Sequence, residues 1–155
     1  VHGSDLAHMC RFPFVFMTSE GYFKLPAKEE RNVKEFLRRG GFIHADDCVY
    51  QTWGKRFFVD YVKMINRLFP GNEMREVPKK HEIYRCYFDF PDGAPQIREA
   101  KNKSFALFEE GTGRIMTYCT AGDLHCGWTC MYFPKDRNEL AIKMGINIII
   151  YYLTH

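Results

Sequence analysis

Apolar residues along this chain alternate between short unbroken runs and stretches with helical spacing. Phe12 to Thr18 reads Phe-Pro-Phe-Val-Phe-Met-Thr and is closed by Ser-Glu-Gly, which predicts a buried strand. Pro26 then sits where a helix can begin. Val33, Phe36 and Leu37 follow at i, i+3, i+4 with charges on the other face, until Gly40-Gly41 stops the helix. Phe42 to Asp47 is a second short strand, and helical spacing resumes at once, with Phe57, Tyr61, Ile65 and Phe69 repeating every four residues up to Pro70-Gly71. Glu73 to Val77 is a candidate third strand.

Residues 78 to 103 show no clean period and hold Pro78, Pro91 and Pro95, so they predict a long excursion with one helical turn at most. Ser104 to Glu110 and Arg114 to Thr120 flank Gly111-Thr112-Gly113, a hairpin signal. Ala121 to Pro134 reads as a loop. Asp136 and Glu139 have capping-box spacing ahead of a C-terminal helix with two apolar ridges, Leu140-Met144-Ile148 and Ala141-Gly145-Ile149. Strand, helix, strand, helix, strand predicts an α/β fold with a mostly parallel sheet, helices on its faces and a hairpin in the C-terminal part. No linker or repeat divides residues 1–155, so one domain is expected.

Composition changes this picture little. The chain has 155 residues, 46% of them apolar, and 22 basic against 19 acidic side chains. The basic residues are spread out, which gives no footprint for nucleic acid. Met144 to Leu153 is the longest apolar run and is broken by Asn147; a bilayer span needs roughly 20 apolar residues. Neither a transmembrane segment nor a signal-peptide pattern is expected from the sequence, which begins with Val1 and reads as a processed or incomplete form. Six cysteines are irregularly spaced without a CxxC pair. Cys119, Cys126 and Cys130 lie close together but lack the usual tight zinc spacing, so free thiols or one disulfide among the three are expected.

Candidate chemistry gathers where strands end. Ligands of open parallel sheets bind beyond the carboxyl ends of the strands. Three segments leave such ends: Ser19-Glu20-Gly21, Asp46-Asp47-Cys48 and Ala121 to His125. Glu20, Asp46, Asp47, Asp123 and Trp128 are therefore the candidate ligand-binding residues. Adjacent residues of a strand point to opposite sides, so Asp46 and Asp47 are not an acid/base pair; one of them is expected to cap the next helix. Cys48, His81 and Asp47 are the catalytic candidates. A thiol near a helix N-terminus can become a nucleophile, but Asp47 opposes the thiolate. His81 is a base or ligand on one reading and a turn cap on the other. His44 reads as a packing position, and Trp128 as a buried anchor or a stacking surface.

Taken in order, these stretches resemble a bacterial family known only as domain of unknown function 4159. The matching residues are Phe12 to Thr18; Phe36-Leu37-Arg38-Arg39-Gly40-Gly41-Phe42 through Asp46-Asp47; and Arg67 to Gly71. Pro78 with His81 and Ile83-Tyr84, then Gly122-Asp123-Leu124 with Cys126-Gly127-Trp128, and Met144 to Tyr151 complete the set. The resemblance implies a flavodoxin-like three-layer sandwich similar to class I glutamine amidotransferases, from which an N-terminal strand–helix unit is missing here. It also implies a periplasmic or envelope-associated setting. In the amidotransferase comparison the nucleophilic cysteine falls near Asp47-Cys48, but its flanking glycines are absent.

Three functional expectations follow. The first is a non-catalytic binding or assembly domain of the bacterial envelope, with a protein partner, no nucleic acid and no cofactor. The second is an amidotransferase-like hydrolase using Asp46, Asp47, Cys48 and His81. The third is a metal site at Asp46, Asp47 and Asp123 with His81.

Overall fold

The computed structural model describes residues 5–49, 56–98 and 103–155. A short helix α1 (Leu6–Met9) leads into β1 (Phe14–Glu20), α2 (Ala27–Arg38), β2 (Phe42–Cys48) and α3 (Arg56–Leu68). Then come β3 (Arg75–Glu76), a 3₁₀ turn (Glu82–Tyr84), β4 (Phe105–Phe108), β5 (Ile115–Thr120), α4 (Leu124–Trp128) and α5 (Lys135–Thr154). The strands form one sheet in the order β1-β2-β5-β4-β3. β1, β2 and β5 run parallel, whereas β4 and β3 are antiparallel to their neighbours. The sheet is thus mixed rather than mostly parallel. The β4–β5 hairpin sets β4 antiparallel to β5, and the short β3 pairs antiparallel with the far side of β4.

Local rules explain most boundaries. Gly40 closes α2 at φ +89°, a left-handed position that favours glycine. Gly111 and Gly113 turn the β4–β5 hairpin at φ +85° and +74°. α5 starts on Pro134, which makes no side-chain cap; Asp136 lies inside the first turn instead of capping it, so the expected capping box does not form. The segment before α3, residues 50–55, lies outside the described residues. The two aspartates, one of which is expected to cap that helix, both lie inside β2, and only Asp47 feels an amide of its first turn, that of Phe58.

One face of the sheet packs Val33, Phe36 and Leu37 of α2 and Phe57, Tyr61 and Ile65 of α3 against Ile43, Ala45 and Cys119. The other packs Ala141, Met144, Ile148 and Tyr151 of α5, with Ile83, Tyr84 and Ile97, against Phe42, Tyr118 and Ile115. Tyr61 Oη and Thr117 Oγ1 are 2.7 Å apart, and Thr117 donates to Ile43 O, which ties α3 to the sheet centre. Asn147, the polar break in the C-terminal apolar run, is a clamp. Its amide donates to Ile83 O and Phe88 O and accepts from Phe88 N, at 2.8–3.0 Å. A buried amide with every group paired pins the irregular excursion onto α5.

Candidate functional site

β2 is the second strand in from the parallel edge, and all seven of its residues are buried. Such a strand normally reads as a continuous apolar run. This one ends in polar residues, so its last positions must find partners inside the protein. Alternation sends His44, Asp46 and Cys48 to the α5 side and Ala45 and Asp47 to the α2/α3 side. The parallel register places Asp46 beside Thr120 and Cys48 beside Glu20. Three strand ends therefore meet at one corner.

At that corner Asp46 is fully engaged. Oδ1 accepts from Thr120 Oγ1 at 2.6 Å, and Oδ2 accepts from the His125 backbone N–H at 2.9 Å and from the ring Nδ1 at 2.6 Å. His44 Nε2 lies 2.9 Å from the same Thr120 oxygen. Proton counting fixes the chain. Thr120 spends its one hydrogen on Asp46, so His44 donates to Thr120. Burial holds His44 down to about 4, which keeps its ring neutral. His125 donates from Nδ1, which leaves its Nε2 facing Cys126 Sγ at 3.5 Å, within hydrogen-bonding range of the thiol. Burial alone would lower His125, but the Asp46 hydrogen bond and the Asp46 and Asp123 carboxylates outweigh it and shift it upward.

The ligand atoms of Cys48, Asp123, His125 and Cys126 all lie within 4.8 Å of one another. Asp123 precedes α4 in a left-handed conformation (φ +61°), which is costly for a residue with a Cβ. One oxygen pairs with Arg98 Nε at 3.0 Å; the other, Oδ1, is buried without a hydrogen-bond partner. Arg98 is held in turn, because Ile97 N and Arg98 N both donate to Gly122 O. Gly122 is required there, since a Cβ would come within 2.9 Å of Pro95 O. Cys48 Sγ also points at Glu20 Oε1, 3.7 Å away on the exposed rim. Burial, then the Asp123 charge, pushes Cys48 up to about 11, and the same causes push Cys126 well up. Neither sulfur becomes a thiolate without a cation beside it.

Among the residues singled out in the sequence, Glu20, Asp46, Cys48 and Asp123 are brought to this corner. Asp47 is next to it in sequence but on the other face. Both its oxygens are buried with no hydrogen-bond partner among the described residues. Burial raises it to about 6, offset in part by the Phe58 amide and raised further by Asp46 and Asp123. Trp128 is an anchor: its Nε1 donates to Ala141 O at 2.9 Å, and its ring packs on Phe16 and His44. His81 is elsewhere. Its Nδ1 caps Ile83 N, and its ring packs on Phe108 and Tyr151. Tyr151 accepts from Ile115 N, at the start of β5, whereas Thr120 is at the finish, roughly 17 Å along the strand. Among the described residues no donor set joins His81 to Asp46, Asp47 and Asp123.

The sequence places His125 only at the end of a strand-end segment and Cys126 only among three cysteines expected as free thiols or one disulfide, because both lie in a segment read as loop. Their signal was present as Asp123, His125 and Cys126 within four residues, but the donor that completes them is 78 residues away in β2. Among the described residues no helix is long and apolar enough to cross a membrane. Comparison with curated proteins gives no match. The family model described as Domain of unknown function (DUF4159) matches residues 3–153, and the chain belongs to that family.

Proposed function

We propose that this domain is a binding module whose strand-end corner holds a thiophilic divalent metal of the zinc class through Cys48, Asp123, His125 and Cys126. The carrying observation is the 2.6 Å contact between His125 Nδ1 and Asp46 Oδ2, with Nε2 on the side of the cysteines. Asp46, itself fixed by Thr120, takes the Nδ1 hydrogen and turns the Nε2 lone pair toward the cysteine side. A carboxylate behind a histidine is the arrangement that orients histidine ligands and raises their basicity. Two sulfurs, one imidazole nitrogen and one carboxylate oxygen suit a tetrahedral zinc-class ion rather than a hard cation, which would require more oxygen donors. The buried, unpartnered Asp123 Oδ1 gains a partner in this reading, and a cation removes the cost of making two thiolates there.

The same residues also form a Cys126–His125–Asp46 line like that of a thiol hydrolase. Against that reading stand a thiol pushed far from ionisation and a carboxylate, Asp123, beside the sulfur. Zinc and cobalt(II) titration of the chelator-stripped protein separates the two. The metal reading expects one equivalent bound with sub-micromolar affinity and a tetrahedral sulfur-ligated cobalt spectrum. Absence of stoichiometric uptake, or uptake unaffected by His125→Ala, overturns it.

An assembly role beside the metal is favoured by a second observation. An apolar groove of about 460 Å³ runs between β1 and α5, lined by Phe14, Phe16, Trp128, Ile142, Ile146 and Ile149. It flanks the outer edge of β1, which pairs with no strand among the described residues. With the family resemblance, this supports a domain that docks a protein partner in an envelope-associated assembly on an amidotransferase-like scaffold. Cell fractionation tests the setting: retention with the cytosolic fraction overturns it.

A further inference from the structure

Cys48 and Cys126 come from different elements, the last residue of β2 and the short helix α4, yet their sulfurs belong to one cluster. The ligand atoms of Cys126, Cys48 and Asp123 lie within 4.8 Å of one another. The remaining cysteines are placed differently. Cys119 is fully buried in the α2/α3-side core. Cys86 Sγ lies 3.2 Å from Asn147 O. Cys10 and Cys130 are exposed, at the end of α1 and after α4, outside this cluster. Access is graded too: Cys48 is 8% exposed, while Cys126 is only half-buried.

We propose that Cys48 and Cys126 are an oxidation site for hydroperoxides, at which closure of a Cys48–Cys126 disulfide ejects the metal. The metal half rests on the reading given above. Cys126, the more accessible sulfur, attacks a peroxide oxygen: an S–O bond forms, the O–O bond breaks, and the departing oxygen takes a proton and leaves as water or an alcohol. The Cys48 sulfur then attacks Cys126. The S–S bond forms, the S–O bond breaks, and hydroxide leaves and is protonated to water. The two sulfurs lose two electrons, the peroxide gains them, two protons are consumed, and the divalent ion departs unchanged in charge. A disulfide is a poor ligand, so only His125 and Asp123 remain, too few to hold a zinc-class ion tightly. A thiol reductant reverses the change.

The pairing also has a structural consequence. α4 is only five residues long and is held to β2 through Asp46. A disulfide would fasten the same two elements covalently, so metal loss need not loosen the corner.

The test uses the full chain loaded with one equivalent of zinc, treated with hydrogen peroxide in the presence of a chromophoric zinc indicator. The expected result is release of one zinc per chain with the loss of two hydrogens in mass, and a peptide pair joining Cys48 to Cys126. The Cys10→Ser/Cys130→Ser double variant, altered only at exposed positions, should release zinc just as fully. In Cys48→Ser, which lacks the resolving sulfur, a sulfenic acid on Cys126 should accumulate and be trapped by dimedone. Zinc binding without release, or release with Cys126 oxidised to sulfinic acid and no cross-link, overturns the inference and leaves the metal reading standing. Failure to take up zinc at all overturns both.

Discussion

Asp46 and Asp47 are neighbours on one strand, and alternation sends them to opposite faces of the sheet. On the α5 face Asp46 accepts three hydrogen bonds, from Thr120 and from two groups of His125. On the α2/α3 face Asp47 has no well-formed hydrogen bond among the described residues, only the Phe58 amide of α3 acting on it from a distance. Both are completely buried. The difference lies in what the opposite element offers. β5 ends in Thr120 and turns straight into α4, which supplies polar donors at short range. The α2/α3 face offers the rings of Phe57, Phe58 and Tyr61 and, at the start of α3, the single amide of Phe58. A buried carboxylate with partners organises its surroundings; one without them stores destabilisation.

Removing Asp46 should have the largest effect. Asp46→Ala strands Thr120 and His125 and is expected to cost about 3–5 kcal/mol in chemical denaturation. Zinc affinity should fall about 10–100-fold, the usual range for losing a carboxylate behind a ligand histidine. Loss of stability with unchanged zinc affinity would reduce Asp46 to a packing residue.

Asp47→Asn should do the reverse. Asp47 titrates at about 6 in the fold against 3.8 when unperturbed. Its raised value means that the native state is penalised whenever the group is charged. The penalty is full above pH 6, is relieved as pH falls through 6, and vanishes below about 3.8. The variant should therefore be more stable by about 2 kcal/mol at pH 7 and indistinguishable from the parent at pH 3.5. His44 behaves oppositely: lowered to about 4 from 6.5, it loses stability as pH falls between those values. The parent should thus show a nearly flat acid limb between pH 6 and 4, and Asp47→Asn should unmask a slope. An unchanged pH profile would mean that Asp47 has a polar partner in solution.

Much of this was legible in the sequence, and the part that was not has a physical reason. The amphipathic helices α2, α3 and α5 declare themselves through spacing, and the hairpin through Gly111 and Gly113. The polar end of β2 stood out because polar residues at a buried strand end need partners. What could not be read was which partners. Cys48 and His125 meet only because β5 inserts beside β2, past β3 and β4 in chain order, in a register that sets Asp46 against Thr120. Periodicity carries no register information between distant strands. α4 was missed because five residues are too few to show a period. His81, by contrast, attracted a catalytic role through residue type alone.

Thr120→Val tests whether the Asp46 side acts as a relay or as independent bonds. The substitution preserves shape but leaves Asp46 Oδ1 and His44 Nε2 unpaired, at an expected cost of about 1–3 kcal/mol. Zinc affinity should fall less than in Asp46→Ala, since Oδ2 still receives both His125 hydrogens. An equal fall would show that Thr120 is needed to aim the carboxylate.

The smallest effect should come from His81, at the other end of β5. His81→Ala removes the cap on Ile83 N and a ring packed on Phe108 and Tyr151, both at a half-buried site, so a loss of about 1 kcal/mol is expected. Burial lowers His81 in the fold, with Glu82 opposing and His155 adding to the shift. The unfolded chain therefore takes up its proton first, and this residue costs stability as pH falls below 6.5. The variant should lose that part of the acid sensitivity while its zinc affinity stays unchanged. If zinc affinity fell instead, the two ends of β5 would be coupled, and the separation between a polar corner that binds and a distant histidine that merely packs would fail.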